Sequence, residues 1–368
     1  MDYQQENNVW VIGHKNPDTD SICAAICYAN LKNRLQDGFH YIPKRAGSIN
    51  EETKYVLQHF GVEPPEYAED AGAQVKDIAF RRTAGVSGHI SLKKAWELMK
   101  TENVMTLAVT SASDKLEGLI ITGDIAESYM DVYDNHILSR ARTQYKNIVE
   151  TLNGTLLAGN EHAYFLRGKV VVATGSRDVI EECIESDDLV IVGDRDETHI
   201  CALEENASCM VVTGGTQVST QVLEMANRRD CVVIITPYDT FTAARLINQS
   251  MPIKYFMKKE NFVTFDIDDY VDEVREVMSK KRHRDFPVLD DQRRYLGMVS
   301  RRNLLNMHKK KLILVDHNEK SQAIDGIEGA EILEIIDHHR LGSLETMSPV
   351  FFRNQPLGCT STIVYQMY

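Results

Sequence analysis

Three short stretches concentrate imidazole and carboxylate groups. GHKNPDTDS (13–21) holds His14, Asp18 and Asp20, VDHNE (315–319) holds Asp316, and IDHHR (336–340) holds His338, His339 and Arg340. Mixed nitrogen and oxygen donors suit manganese, cobalt, zinc or iron better than calcium. Several shared carboxylates suit a pair of cations about 3.5–4 Å apart, which lowers the pKa of a bridging water and clamps phosphate oxygens on both sides of an in-line attack. The chemistry implied is phosphoryl transfer to water, with His14, Asp18, Asp20, Asp316 and His338 as candidate ligands. His339, beside a metal-bound histidine, would touch a substrate phosphate or give a proton to the leaving group. Taken singly, each turn also matches an ordinary capped loop, because Asp and Asn are favoured in turns. Their recurrence after three apolar runs carries the metal reading.

Those runs are the elements that must position the site. VWVI (9–12), Leu312–Val315 and the apolar part of EILEIIDHHR each read as a strand ending in ligand-type residues. Residues 21–35 read as a helix capped by Ser21 or Asp20, with Cys23 and Cys27 on a packed face. A second helix over EETKYVLQHFGV ends at Gly61, and Pro64 and Pro65 beyond it mark a boundary. In open α/β sheets, sites form at the C-terminal ends of strands. The three turns are therefore expected to meet in one crevice, with the middle of the chain inserted between them.

The middle contains a repeat, one copy over roughly residues 73–130 and the other over roughly 251–308. Each reads as strand, helix, strand, turn, strand, helix, opening with VKDIAF or IKYFM. Each closes with a related element, GLIITGD (118–124) or GMVSRRN (297–303). Paired repeats bury a face that neither buries alone. Between them, KVVVAT, DLVIVGD, CMVVTGG and CVVIIT read as strands of a further α/β segment, and TGG (213–215) is expected to open a helix.

The 368 residues suggest two to four domains. Hydrophobic content of 43% and charged content of 26% describe a globular protein. A net charge of −13 argues against nucleic acid as a partner. No apolar run is long enough for a membrane span, and MDYQQENN lacks the layout of a signal peptide. Seven scattered cysteines without a C-x-x-C pair fit reduced thiols, hence a cytoplasmic location.

GHKNPDTDS, VDHNE, IDHHR and PLGCTSTIV (356–364) together resemble the family II inorganic pyrophosphatases of the DHH phosphoesterase superfamily. The middle resembles a pair of CBS modules flanking a DRTGG domain. The resemblance implies an α/β fold: a parallel-sheet DHH domain formed by residues 1–67 and 309–368 and incomplete at its C-terminus. CBS modules at 68–130 and 251–308 and a DRTGG-like domain at 131–250 would interrupt it. It implies hydrolysis of pyrophosphate to two phosphates with two divalent cations, Mn2+ or Co2+ preferred and Mg2+ also used. His14 and Asp18 would hold one cation, Asp20 and His338 the other, and Asp316 would bridge them. His339 and Arg340 would contact substrate. DHH exopolyphosphatases and phosphodiesterases are also similar, but PDTDS with VDHNE and GCTSTI favours the pyrophosphatases.

Family members continue past the equivalent of Tyr368, with a further ligand aspartate and a basic second domain, so full activity is not expected of the chain as given. The alternative is a nucleotide-binding regulatory protein with an incomplete phosphohydrolase domain. The resemblance also implies binding of AMP, ADP or ATP, and of diadenosine polyphosphates, between the repeat copies. Thr122, Asp124, Ser300 and Asn303 would serve ribose and phosphate, and Lys281, Arg282 and Arg284 would clamp phosphate. A homodimer is expected, because CBS modules commonly pair between chains.

Overall fold

A computed structural model of the chain describes residues 7–130, 134–175, 177–307 and 309–368. The chain divides into two compact units. One comprises residues up to Arg81 with Phe265–Val288 and Met298–Tyr368, and the other comprises Arg82–Thr264 with Leu289–Gly297.

The first unit is built on a six-stranded sheet in the order Phe351–Asn354, Glu331–Asp337, Lys311–Val315, Asn8–Ile12, His40–Arg45, Glu66–Tyr67. Every neighbouring pair is parallel. Parallel strands covered on both faces read as unbroken apolar runs. Here Ile313 and Val315 enter one core with Val9, Val11 and Ile336, while Leu312 and Leu314 enter another with Ile12 and Ile335. Each large aliphatic side chain so buried contributes roughly 1.5–3 kcal/mol.

Strands Asn8–Ile12 and Lys311–Val315 lie side by side, with Ile12 opposite Leu314. From the first the chain winds outward to one edge, and from the second to the other. The boundary between them is the topological switch point, where open α/β sheets leave a crevice.

The helix after the first strand runs Thr19–Leu35 and buries Ile22, Ala24, Ala25, Tyr28 and Ala29. Its cap is Asp18, whose side chain accepts from the Ser21 N–H, and not Ser21 or Asp20 as the sequence suggested. Asp20 is drawn instead toward backbone N–H groups of a distant helix. Cys23 is half-buried and Cys27 exposed, so the packed face lies beside them and not on them. All seven cysteines are free. The second helix, Glu51–Phe60, is capped by Asn50 and ended by Gly61 at φ 64°. The prolines that follow lead into edge strand Glu66–Tyr67, and Ala68 and Ala71 are buried beyond it.

The repeat copies exchange their opening segments. In the first unit, Gln74, Ile78 and Arg81 pair with Tyr270, Met307 and Met298. In the second, Pro252 and Lys258 pair with Ser91 and Leu119. The expected opening strands are short 3-10 turns, Val75–Asp77 and Ile253–Tyr255. In the first of these the Asp77 side chain accepts from the Gln74 N–H, a local bond that competes with a strand ladder. The closing element is a helix in the first copy, Thr122–Met130, and a 3-10 turn in the second, Asn303–Asn306.

The second unit also holds a five-stranded sheet in the order Thr155–Ala158, Val232–Ile235, Cys209–Val212, Leu189–Val192, Val170–Val172. Only the pair formed with Thr155–Ala158 is antiparallel. TGG does not open a helix. Gly214 and Gly215 have φ of 77° and 64°, a turn that right-handed helix cannot include, and the helix begins at Thr220 under the Ser219 cap. Among the described residues, no helix is long and apolar enough to cross a membrane.

Candidate metal centre

The crevice at the switch point gathers His14, Asp18, Asp20, Asp316, His338 and His339. Strand Asn8–Ile12 runs into Gly13, where a Cβ would lie 1.8 Å from the Ser21 Oγ. Glycine therefore lets the strand end press against the helix start and aims His14 into the crevice. On the neighbouring strand, Asp316 follows Val315 with φ 64°, left-handed backbone that Asp tolerates better than most residues. Such strain concentrates at functional sites.

Asp316 is the hub. Its side chain is 1% exposed. Oδ2 lies 3.4 Å from His14 Nε2, and Oδ1 lies 3.4 Å from His338 Nε2. His14 Nε2 is also 4.0 Å from Asp18 Oδ1, and His338 Nε2 is 3.9 Å from Asp20 Oδ2. His14, Asp18 and Asp316 can turn ligand atoms to within 4.8 Å of one another, as can Asp316, His338 and His339.

The donor set fits a divalent transition metal. His338 Nδ1 lies 3.0 Å from the Leu357 carbonyl oxygen, so Nδ1 donates to it and Nε2 faces the carboxylates of Asp316 and Asp20. His339 is oriented differently. Its Nδ1 is 2.8 Å from Asp337 Oδ1, and its side chain is 50% exposed. Arg340 is exposed and pairs with Glu319 at 3.1 Å.

Burial raises the Asp316 pKa, and the hydrogen bond from His14 opposes that rise. The same hydrogen bond raises the pKa of His14 above its ordinary 6.5. Burial alone would raise Asp20, but hydrogen bonds from Ser361 and Thr360 outweigh it and hold the carboxyl below its usual range. His317, next to Asp316, is pushed down to about 4 by burial and stays neutral.

A cation bound through His14 would have to displace its proton. Divalent-metal affinity is therefore expected to rise with pH until the raised His14 pKa is passed, and to fall by about tenfold per unit below it for one proton released. Calorimetric titrations with Mn2+ across this range check the slope, and a pH-independent affinity would contradict it.

Several residues at the site were given no role from sequence. Asp337 is 0% exposed and accepts from the His338 N–H (2.8 Å) and the His339 N–H (3.2 Å), while its other oxygen accepts from Asn318. Thr360 and Ser361 open helix Thr360–Tyr365, and both backbone N–H groups donate to Asp20, at 2.6 and 2.8 Å. The Thr360 hydroxyl donates to Asp316 Oδ1 at 2.9 Å. The signal available was their presence in IDHHR and PLGCTSTIV, without a role attached.

The residues proposed for nucleotide are divided between the units, Thr122 and Asp124 in one and Lys281, Arg282, Arg284, Ser300 and Asn303 in the other. Asp124 is buried, accepts from the Ile121 N–H at 2.9 Å and lies 3.2 Å from Lys258 Nζ. Ser300 donates through N and Oγ to Asn303 Oδ1, at 2.8 and 2.7 Å. Asn303 in turn donates to the Ala79 carbonyl at 2.8 Å. Lys281, Arg282 and Arg284 are exposed after helix Val271–Lys280. Arg301, not singled out from sequence, donates to the carbonyls of Met278, Lys281 and His283 and secures that helix end.

The fold and the cluster define an α/β protein with a histidine–carboxylate crevice. Family models match the DRTGG domain over residues 147–250 and the CBS domain over residues 253–309. A cobalt-dependent inorganic pyrophosphatase of Clostridium perfringens is 42% identical over 98% of the chain, and a probable manganese-dependent inorganic pyrophosphatase of Thermotoga maritima is 39% identical over the same share. The chain spans just under two thirds of these relatives, 65% of each. The crystal structure of the CBS and DRTGG domains of the C. perfringens pyrophosphatase regulatory region, complexed with the activator diadenosine tetraphosphate, is 36% identical. It superposes with a TM-score of 0.60 over 62% of this chain and 100% of that one. The chain belongs with the CBS- and DRTGG-containing region of the family II inorganic pyrophosphatases and spans part of their length.

Proposed function

We propose that the six-stranded unit is the metal-binding part of a DHH-type phosphohydrolase that cleaves pyrophosphate into two phosphates. One observation carries this reading: a single buried carboxylate, Asp316, presents its two oxygens to two different histidines, His14 and His338. Such a carboxylate suits a bridge between two cations. In this reading His14 and Asp18 hold one, Asp20 and His338 the other, with Mn2+ or Co2+ preferred and Mg2+ admitted. Bound there, the cations would supply an activated water and neutralise phosphate charge. His339, anchored by Asp337, would hold or give a proton through Nε2 at the leaving phosphate oxygen. Arg340 would exchange its pairing with Glu319 for substrate.

The repeat copies and the DRTGG segment would regulate this chemistry in a homodimer, binding AMP, ADP, ATP or diadenosine polyphosphates. The activator in the related C. perfringens regulatory region supports the last of these. Thr122, Asp124, Ser300 and Asn303 would meet ribose and phosphate, and Lys281, Arg282 and Arg284 would supply positive charge.

The test is phosphate release from pyrophosphate with Mn2+ or Co2+ on the 368-residue chain, beside His14→Ala, with and without nucleotide. Mn2+ or Co2+ binding that is lost in His14→Ala, with nucleotide bound and turnover weak or absent, is the expected result, and strong turnover lost in His14→Ala would establish hydrolysis by this chain alone. Nucleotide binding with no turnover and no metal binding would instead favour a purely regulatory protein.

A further inference from the structure

PLGCTSTIV lies far in sequence from every candidate ligand, yet one of its residues touches two of them. Thr360 is 0% exposed. Its hydroxyl donates to Asp316 Oδ1 at 2.9 Å, and its backbone N–H donates to Asp20 Oδ2 at 2.6 Å. Ser361 adds a backbone N–H to the other Asp20 oxygen at 2.8 Å.

From these contacts we propose that Thr360 is a positioning residue for the metal centre, a role that rests on the metal reading above. It sets the plane of the bridging carboxylate and couples it to that of Asp20. An ionised carboxylate only accepts hydrogen bonds, so the Thr360 hydroxyl must be the donor. It occupies one lone-pair direction on Oδ1 and leaves another toward His338 Nε2, 3.4 Å away. Oδ2 is then held toward His14. Without the hydroxyl, the carboxylate can rotate about its Cβ–Cγ bond, and its oxygens no longer address both histidines together. The two N–H groups fix Asp20 at its back and leave its remaining lone pairs for the crevice. Partners of metal ligands typically account for 10–100-fold in metal affinity.

Thr360→Val keeps the shape and the backbone N–H but removes the hydroxyl, and Thr360→Ser restores it. Both are compared with the unmodified chain in Mn2+ titrations followed by paramagnetic resonance, in the visible spectrum of the Co2+-loaded protein, and in thermal unfolding without metal. The expected result for Thr360→Val is a loss of Mn2+ affinity of about tenfold or more with a changed Co2+ spectrum. Thr360→Ser should return both toward the parent. A role in folding alone would lower the unfolding temperature and leave the Co2+ spectrum of the folded protein unchanged, which would overturn the proposal. Unchanged Mn2+ affinity in Thr360→Val, with the parent binding well, would overturn it while sparing the metal reading. Failure of the parent to bind Mn2+ or Co2+ would overturn both.

Discussion

Asp316→Asn should abolish the stabilisation of this chain by Mn2+ or Co2+ while leaving the metal-free fold in place. Asn has nearly the same shape and tolerates the left-handed backbone at φ 64°. Its amide oxygen can still accept from the Thr360 hydroxyl, 2.9 Å from Asp316 Oδ1. What is lost is a buried negative charge shared between His14 and His338. Since removing a mere partner of a ligand costs 10–100-fold, loss of the central carboxylate should cost at least about 100-fold in affinity, or about 2.8 kcal/mol. Thermal unfolding reads this directly. At a metal concentration about 100 times the parent Kd, binding adds about 2.7 kcal/mol of stability, and the variant should show almost none of it. A metal-induced shift as large as the parent's would exclude Asp316 as the hub.

The second large effect is expected from Asp337→Ala, and it falls on the fold. Asp337 is fully buried and serves four donors: the backbone N–H groups of His338 and His339, the His339 ring and the Asn318 amide. Truncation removes the acceptor of the His338 and His339 backbone N–H groups, while the Asn318 amide keeps the Arg340 carbonyl and the half-exposed His339 ring can turn to water. Leaving such a donor unsatisfied costs about 1–3 kcal/mol. The urea midpoint should fall accordingly, with Asp337→Asn intermediate because one oxygen acceptor survives. A loss under about 1 kcal/mol would mean that the histidines are positioned by something else. The same variant should free the His339 ring, so any surviving turnover should lose its dependence on that residue.

The strands beneath the site were legible because parallel strands are covered on both faces. Their apolar residues run on without alternation, and the chain turns polar where each strand leaves the sheet. Hence VWVI, Leu312–Val315 and the run before Asp337 announced themselves, with ligand-type residues waiting at their ends. Helix starts were less legible. Asp18, Asp20 and Ser21 can each cap a helix locally, and the distant N–H groups of Thr360 and Ser361 engage Asp20. The repeat was legible as a pattern, but its packing was not. The opening segments pair with the other copy, an arrangement that similar copies hide because either partner would satisfy the same sequence.

By itself, the sequence determined which groups are available for chemistry and which strands carry them, since both follow from side-chain type and from short-range burial patterns. The tertiary structure decided that strands Asn8–Ile12 and Lys311–Val315 are neighbours at a switch point. It decided that Asp316 faces both histidines, and that Thr360 and Asp337 hold the cluster in place. These depend on contacts between residues far apart in the chain, which are set when whole elements pack and leave no periodic trace in the local sequence.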